Sequence, residues 1–165
     1  MNLQCFNVSV QENWALVEMA RPERLNVIDQ TMLLELKEVL LSLQAARVKA
    51  VVLTGQGKAF AAGADVAAMA EMDQRSAEQF SSMGNSIFQL IEDHPAVFIA
   101  AVNGYALGGG MELALACDLR FASGIWRDTA SAAYCGSGQS KRVDLDRSPF
   151  FCRRGVGRWS YLQGP

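Results

Sequence analysis

The sequence predicts one α/β domain over residues 1–123, with strands that are at least partly parallel, and three observations lead to that expectation. Short β-rich apolar runs, at Trp14 to Met19, Ala50 to Leu53 and Ala96 to Val102, alternate with stretches of helical periodicity. Two segments of small residues, Phe60 to Val66 and Gly108 to Gly110, follow strands directly, at the strand ends where such folds build sites. Half of the 165 residues are hydrophobic, so one folded domain of this length buries about 70% of the surface its unfolded chain exposes.

Taken in order, Trp14 to Met19 alternates loosely and reads as a strand, and Arg21-Pro-Glu-Arg24 reads as a turn. Asp29 is placed to cap a helix whose apolar positions Met32, Leu33, Leu36, Val39, Leu40 and Leu43 follow i, i+3, i+4, i+7 spacing. Ala50 to Leu53 reads as a strand buried on both faces. After Phe60 to Val66 an alanine- and methionine-rich helix is expected over Ala67 to Met72. Asp73 or Ser76 starts the next helix, with Phe80, Met83, Ile87, Leu90 and Ile91 on one face and His94-Pro95 at its end. His94 is expected to serve the helix C-terminus as a dipole partner rather than as a base. Ala96 to Val102 is the next strand, and it leads into the glycine stretch.

Composition excludes several classes. No run of about 18 apolar residues and no basic-then-apolar leader is present, so neither a membrane span nor a secretory signal is expected and the setting is read as cytoplasmic. Cys5, Cys117, Cys135 and Cys152 are scattered and His94 is the single histidine, so no metal site and no disulfide framework is expected. Lys58 after Gly57 resembles a phosphate loop only in part, because Val52 stands where the first glycine belongs and Ala59 follows the lysine. The net charge of −2 argues against a nucleic-acid partner. It hides an asymmetry, because residues 124–165 hold seven Lys or Arg against three Asp, a balance of +4.

The candidate site is the stretch Ala100 to Asp118. Its three consecutive glycines open the backbone to unusual φ/ψ and to close approach by a ligand. Free N–H groups at a helix start, together with the helix dipole, suit a carboxylate or a developing oxyanion, and Glu112 lies in the first turn beside them. The same residues also fit a plain glycine turn whose glutamate complements the dipole. Likewise, Phe60 to Val66 fits either a ligand-facing loop or a tight crossover that needs small side chains.

Several motifs occur together in order: Arg21-Pro with Leu25-Asn26, Val51-Val-Leu-Thr-Gly55, Lys58-Ala-Phe-Ala-Ala-Gly-Ala-Asp65, and Ala101 to Leu113 followed by Cys117-Asp118. On these motifs residues 14 to 123 resemble the enoyl-CoA hydratase/isomerase (crotonase) family. The resemblance implies a crotonase-like (ClpP/crotonase-type) α/β fold with a repeated β-β-α core, here C-terminally incomplete. It implies an acyl-CoA substrate of fatty-acid metabolism, with coenzyme A as the substrate's carrier and no metal. It places an oxyanion hole at the N–H groups of Ala64 and Gly109. CoA and substrate contacts fall at Ala62, Ala64, Asp65, Val66, Ala67 and Gly109. It makes Glu112 one of two acid/base carboxylates that hold a water. Family members commonly form trimers, often paired into hexamers, through C-terminal helices; those helices do not follow residue 123 here, so assembly is not carried over.

The second glutamate is not found either, for no glutamate follows Glu112 in the chain. Residues 124–165 do not match the family, and a basic, poorly ordered tail is expected over them. A shift of reading frame after about Ser123 accounts for this. Codons for the tail can be chosen so that one constant neighbouring frame reads G-Y-G-G-T-Q-R-L-P-R-I-V-G and then G-R-P-F-S-A-E-E-A-L-E-D-G, both family-like. The competing account is a genuine basic tail for an acidic partner or nucleic acid, and the coding DNA decides between them. Without the second carboxylate the chain is expected to be an impaired enzyme. The alternative is a non-catalytic acyl-CoA-binding or oligomer-interaction remnant.

Overall fold

The computed structural model describes residues 3–122 and the backbone of residues 150–153. Six strands form the main sheet in the order β1-β2-β3-β5-β7-β8. They are β1 (Phe6–Val10), β2 (Trp14–Met19), β3 (Ala50–Gly55), β5 (Val97–Val102), β7 (Leu119–Ala122) and β8 (Phe150–Arg153). The inner pairs β2·β3, β3·β5 and β5·β7 are parallel, and the outer pairs β1·β2 and β7·β8 are antiparallel. Two short strands, β4 (Ala59–Ala61) and β6 (Tyr105–Ala106), pair in parallel as a separate small sheet. The helices are α1 (Gln30–Ala46), α2 (Val66–Ala70), α3 (Gln74–Glu92) and α4 (Gly109–Ala116). The runs β3-β4-α2-α3 and β5-β6-α4 are successive β-β-α units whose middle strands pair with each other.

Register explains the core. Ala15, Val17 and Met19 lie beside Val51, Leu53 and Gly55, and Val51 and Leu53 lie beside Phe98 and Ala100. With a side-chain period of two, all these residues point to one face, and all are buried. Helix α1 belongs to the same core through its six predicted apolar positions, each buried. Asp29 caps it by accepting from the Met32 N–H at 2.9 Å. The opposite sheet face holds Leu16, Val52 and Ile99 half-buried in one row, so β3 is covered fully on one face only, contrary to the two-sided burial expected.

Other differences have local causes. Strand β1, which the sequence reading passed over, alternates only weakly and gains its structure by pairing with β2. Helix α2 is five residues long, has no buried residue, is capped by Asp65, and starts one residue before and ends two before the helix expected over 67–72. In α3, capped by Asp73, only Ile87 and Ile91 are buried; Phe80 and Met83 are half-buried and Leu90 faces out. His94 is not a charged dipole partner. Its Nδ1 accepts from the Ala96 N–H at 3.0 Å and its Nε2 faces the Leu40 carbonyl at 3.3 Å, the pattern of a neutral ring, and burial lowers its pKa. The tail expectation lies outside the described residues except at β8, which pairs along the edge of β7.

Candidate functional site

The small sheet brings the two small-residue loops together. The loop after β4 carries Ala62, Gly63, Ala64 and Asp65, and the loop after β6 carries Leu107 and Gly108 into α4. Leu107 N–H donates to the Ala61 carbonyl at 3.1 Å, which fixes one loop against the other. A Cβ on Gly63, whose φ is +99°, would stand 2.8 Å from the Leu107 oxygen and 3.8 Å from the Gly109 nitrogen. A Cβ on Gly109 would stand 3.8 Å from the Ala64 nitrogen.

The glycine triplet has three separate functions. Gly108 takes φ +47° as the residue that precedes α4, with open space around its absent side chain, so the backbone angle is its requirement. Gly109 leaves the space facing Ala64 unfilled. Gly110 lies so close to β4 that a Cβ would be 2.0 Å from the Ala61 oxygen.

Several backbone groups of the two loops are paired within the protein. Ala62 N–H donates to Leu25 O (3.0 Å), Ile28 N–H to Gly63 O (2.8 Å) and Asp65 N–H to Ile28 O (3.2 Å). Gly110 N–H donates to Leu107 O, and the N–H groups of Met111 and Glu112 donate to Gly108 O. The N–H groups of Ala64 and Gly109 donate to no group among the described residues, and both residues are half-buried. Two such donors on neighbouring loops, one of them at the N-terminus of α4, are groups of the kind that suit an oxygen carrying negative charge.

The other predicted residues divide. Glu112 sits one turn into α4, exposed, and its carboxylate makes no hydrogen bond or ion pair among the described residues. Val66 and Ala67 open α2 on the exposed side of the same loop, Val66 being 76% exposed. Ala62 is half-buried. Asp65 is engaged with protein groups: its Oδ1 accepts from Ala68 N–H at 3.2 Å, and its Oδ2 meets Arg24 Nη2 at 2.5 Å.

Sequence reasoning gave no role to the polar groups that hold these loops. Asn26 is the one fully buried polar residue described. Its Oδ1 accepts from Arg21 N–H at 3.0 Å, and its Nδ2 donates to Gln56 O at 3.0 Å and Ala59 O at 2.9 Å. Asn103 ties the same turn from the other side, accepting from Gly55 N–H and donating to Gly57 O, both at 3.1 Å. Arg21 Nη2 meets Asp29 Oδ2 at 2.7 Å, and Arg24 Nη1 reaches that oxygen at 3.4 Å. Burial pushes Asp29 up, but the Arg21 guanidinium and the Met32 N–H outweigh it and leave the carboxyl below its ordinary value. The available signal was the motif from Arg21 to Asn26, whose residue types suit a hydrogen-bonded bend.

The family model for enoyl-CoA hydratase/isomerase matches residues 9–135, running past Ser123, where the sequence reading drew its boundary. A crotonyl-CoA hydratase of Syntrophomonas wolfei is 40% identical over 115 residues, covering 68% of this chain and 44% of that protein. A short-chain-enoyl-CoA hydratase of Clostridium acetobutylicum is 43% identical over 111 residues, covering 66% and 42%. The crystal structure of an enoyl-CoA hydratase from Bacillus anthracis superposes with a TM-score of 0.69 at 37% identity, over 72% of this chain and 47% of that one. The chain spans under half the length of these relatives.

Proposed function

The chain belongs to the enoyl-CoA hydratase/isomerase family, with a crotonase-like fold, and from that premise we propose that it binds the thioester carbonyl of an acyl-CoA between the N–H groups of Ala64 and Gly109. The observation that supports this reading is the pair of half-buried, unspent donors on adjoining loops. A thioester enolate concentrates charge on its oxygen, so donors fixed in advance stabilise the transition state more than the ground state. Loss of one such donor costs about 2.7–4 kcal/mol of barrier. The small side chains from Ala62 to Ala67 leave the main chain open to the CoA end of the ligand.

Hydration of a 2-enoyl thioester adds the oxygen of water to Cβ and a proton to Cα. Glu112, projecting from the first turn of the helix that carries Gly109, is the carboxylate that takes the proton from water. Within this sequence no glutamate follows Glu112 to complete such a pair. The same fact favours a second reading, a non-catalytic acyl-CoA-binding protein that keeps the carbonyl site alone.

Calorimetry with butyryl-CoA and hydration of crotonyl-CoA, followed by loss of the conjugated thioester absorbance, separate the readings. Turnover abolished by Glu112→Gln supports the enzyme. Binding without turnover supports the second reading. Absence of both refutes the carbonyl site.

A further inference from the structure

We propose that Arg24 and Asp65 are positioning residues whose ion pair holds the Ala64 N–H at its distance from the Gly109 N–H. The inference rests on the reading of those two donors as the carbonyl site. The two donors are held by unequal means. Gly109 opens α4, whose Gly110, Leu113, Ala114 and Ala116 are buried, so core packing fixes it. Ala64 stands between Gly63, in the left-handed region, and α2, which has no buried residue at all. Packing therefore does not hold the downstream side of Ala64, and the backbone beyond Asp65 is free to drift unless polar contacts stop it.

Those contacts converge on Asp65. Its N–H donates to Ile28 O, its Oδ1 caps α2 through Ala68 N–H, and its Oδ2 pairs with Arg24. Arg24 in turn reaches Asp29 Oδ2, and Asp29 caps α1 through Met32 N–H and pairs with Arg21. A continuous path thus runs from the buried face of α1 through Asp29 and Arg24 to the residue after Ala64. Arg24 is 48% exposed, and ion pairs so exposed add little to global stability, so removing this one leaves the fold in place while freeing the loop.

The test uses the full chain and a CoA thioester whose carbonyl is conjugated to an aromatic ring, such as cinnamoyl-CoA. Polarisation of the carbonyl by the two donors shifts its absorbance to the red at saturation, independently of turnover. The variants are Arg24→Gln, Arg24→Lys, Asp65→Asn, and Arg24→Gln with Asp65→Asn. Asparagine keeps the helix cap and removes the charge. The expected result is a red shift in the parent that is mostly lost in Arg24→Gln and in Asp65→Asn, no further loss in the double variant, and partial recovery in Arg24→Lys, with far-UV dichroism unchanged. A shift that survives in folded Asp65→Asn at saturation overturns the proposal. Unfolding of both single variants also overturns it, because the pair then holds the fold rather than the donor. A parent protein that binds without any shift, or does not bind, refutes the carbonyl site itself and the inference with it.

Discussion

Replacing Asn26 by alanine tests how the site loops are held. Asn26 has φ +52° and no solvent exposure, and its side chain satisfies Arg21 N–H, Gln56 O and Ala59 O. Among the described residues, truncation leaves Ala59 O with Asn103 Nδ2, at 3.5 Å. A buried polar group left unpaired costs about 1–3 kcal/mol, and the two partly buried partners recover some of that from water, so the lost bonds cost about 2–4 kcal/mol together. Asparagine tolerates the left-handed region and alanine does not, which adds about 1 kcal/mol. The expected loss is about 3–5 kcal/mol, a large share of the roughly 5–15 kcal/mol that holds a domain together. Asn26→Gly removes the same bonds but relieves the backbone angle, so it should be about 1 kcal/mol more stable than Asn26→Ala. Urea unfolding followed by far-UV dichroism and extrapolated linearly to water gives all three stabilities. A loss below about 0.5 kcal/mol for Asn26→Ala, or a glycine variant less stable than the alanine one, refutes the reasoning.

The glycine triplet predicts unequal effects for one chemical change. Gly108→Ala meets open space and costs only the strain of a side chain at φ +47°, ψ −122°, about 1–3 kcal/mol, whereas Gly110→Ala drives α4 off β4 and costs about 3 kcal/mol or more. Equal thermal midpoints for the two variants would sink this assignment. For His94 the folded pKa lies below the ordinary value because burial disfavours the charged ring, so the unfolded chain takes the proton first. Its contribution is complete above the unfolded pKa of about 6.5 and is lost as pH falls toward the folded value. Urea midpoints across that window should drop more steeply with acid in the parent than in His94→Gln, and parallel pH profiles would contradict the neutral-ring assignment.

Much of the α1 region was readable in advance because its cause is local. The six apolar positions of α1 repeat with the helical period and Asp29 stands at the cap, so both face and start follow from the residues in between. Strand β1 was not readable, since its order comes from a neighbour strand that periodicity does not see. The outward turn of Leu90 was hidden for the same reason: a helix face is buried only where another element lies against it. The two loops of small residues were legible from residue type alone. The contacts of Asn26, Asn103, Arg24 and Asp65 were not, because each has a partner distant in sequence.

By itself the sequence determined the alternation of strands and helices, the family, and the presence of two loops built from small residues. Those features depend on residue type and short-range spacing. Only the tertiary structure decided that β4 and β6 leave the main sheet to pair with each other, and that this pairing brings Ala64 and Gly109 together with their N–H groups unspent. It also divided one run of three glycines into an angle, an opening and a close approach. The physical reason is common to all of these: whether a backbone donor is free, or an absent side chain matters, depends on which atoms lie opposite, and those come from other parts of the chain.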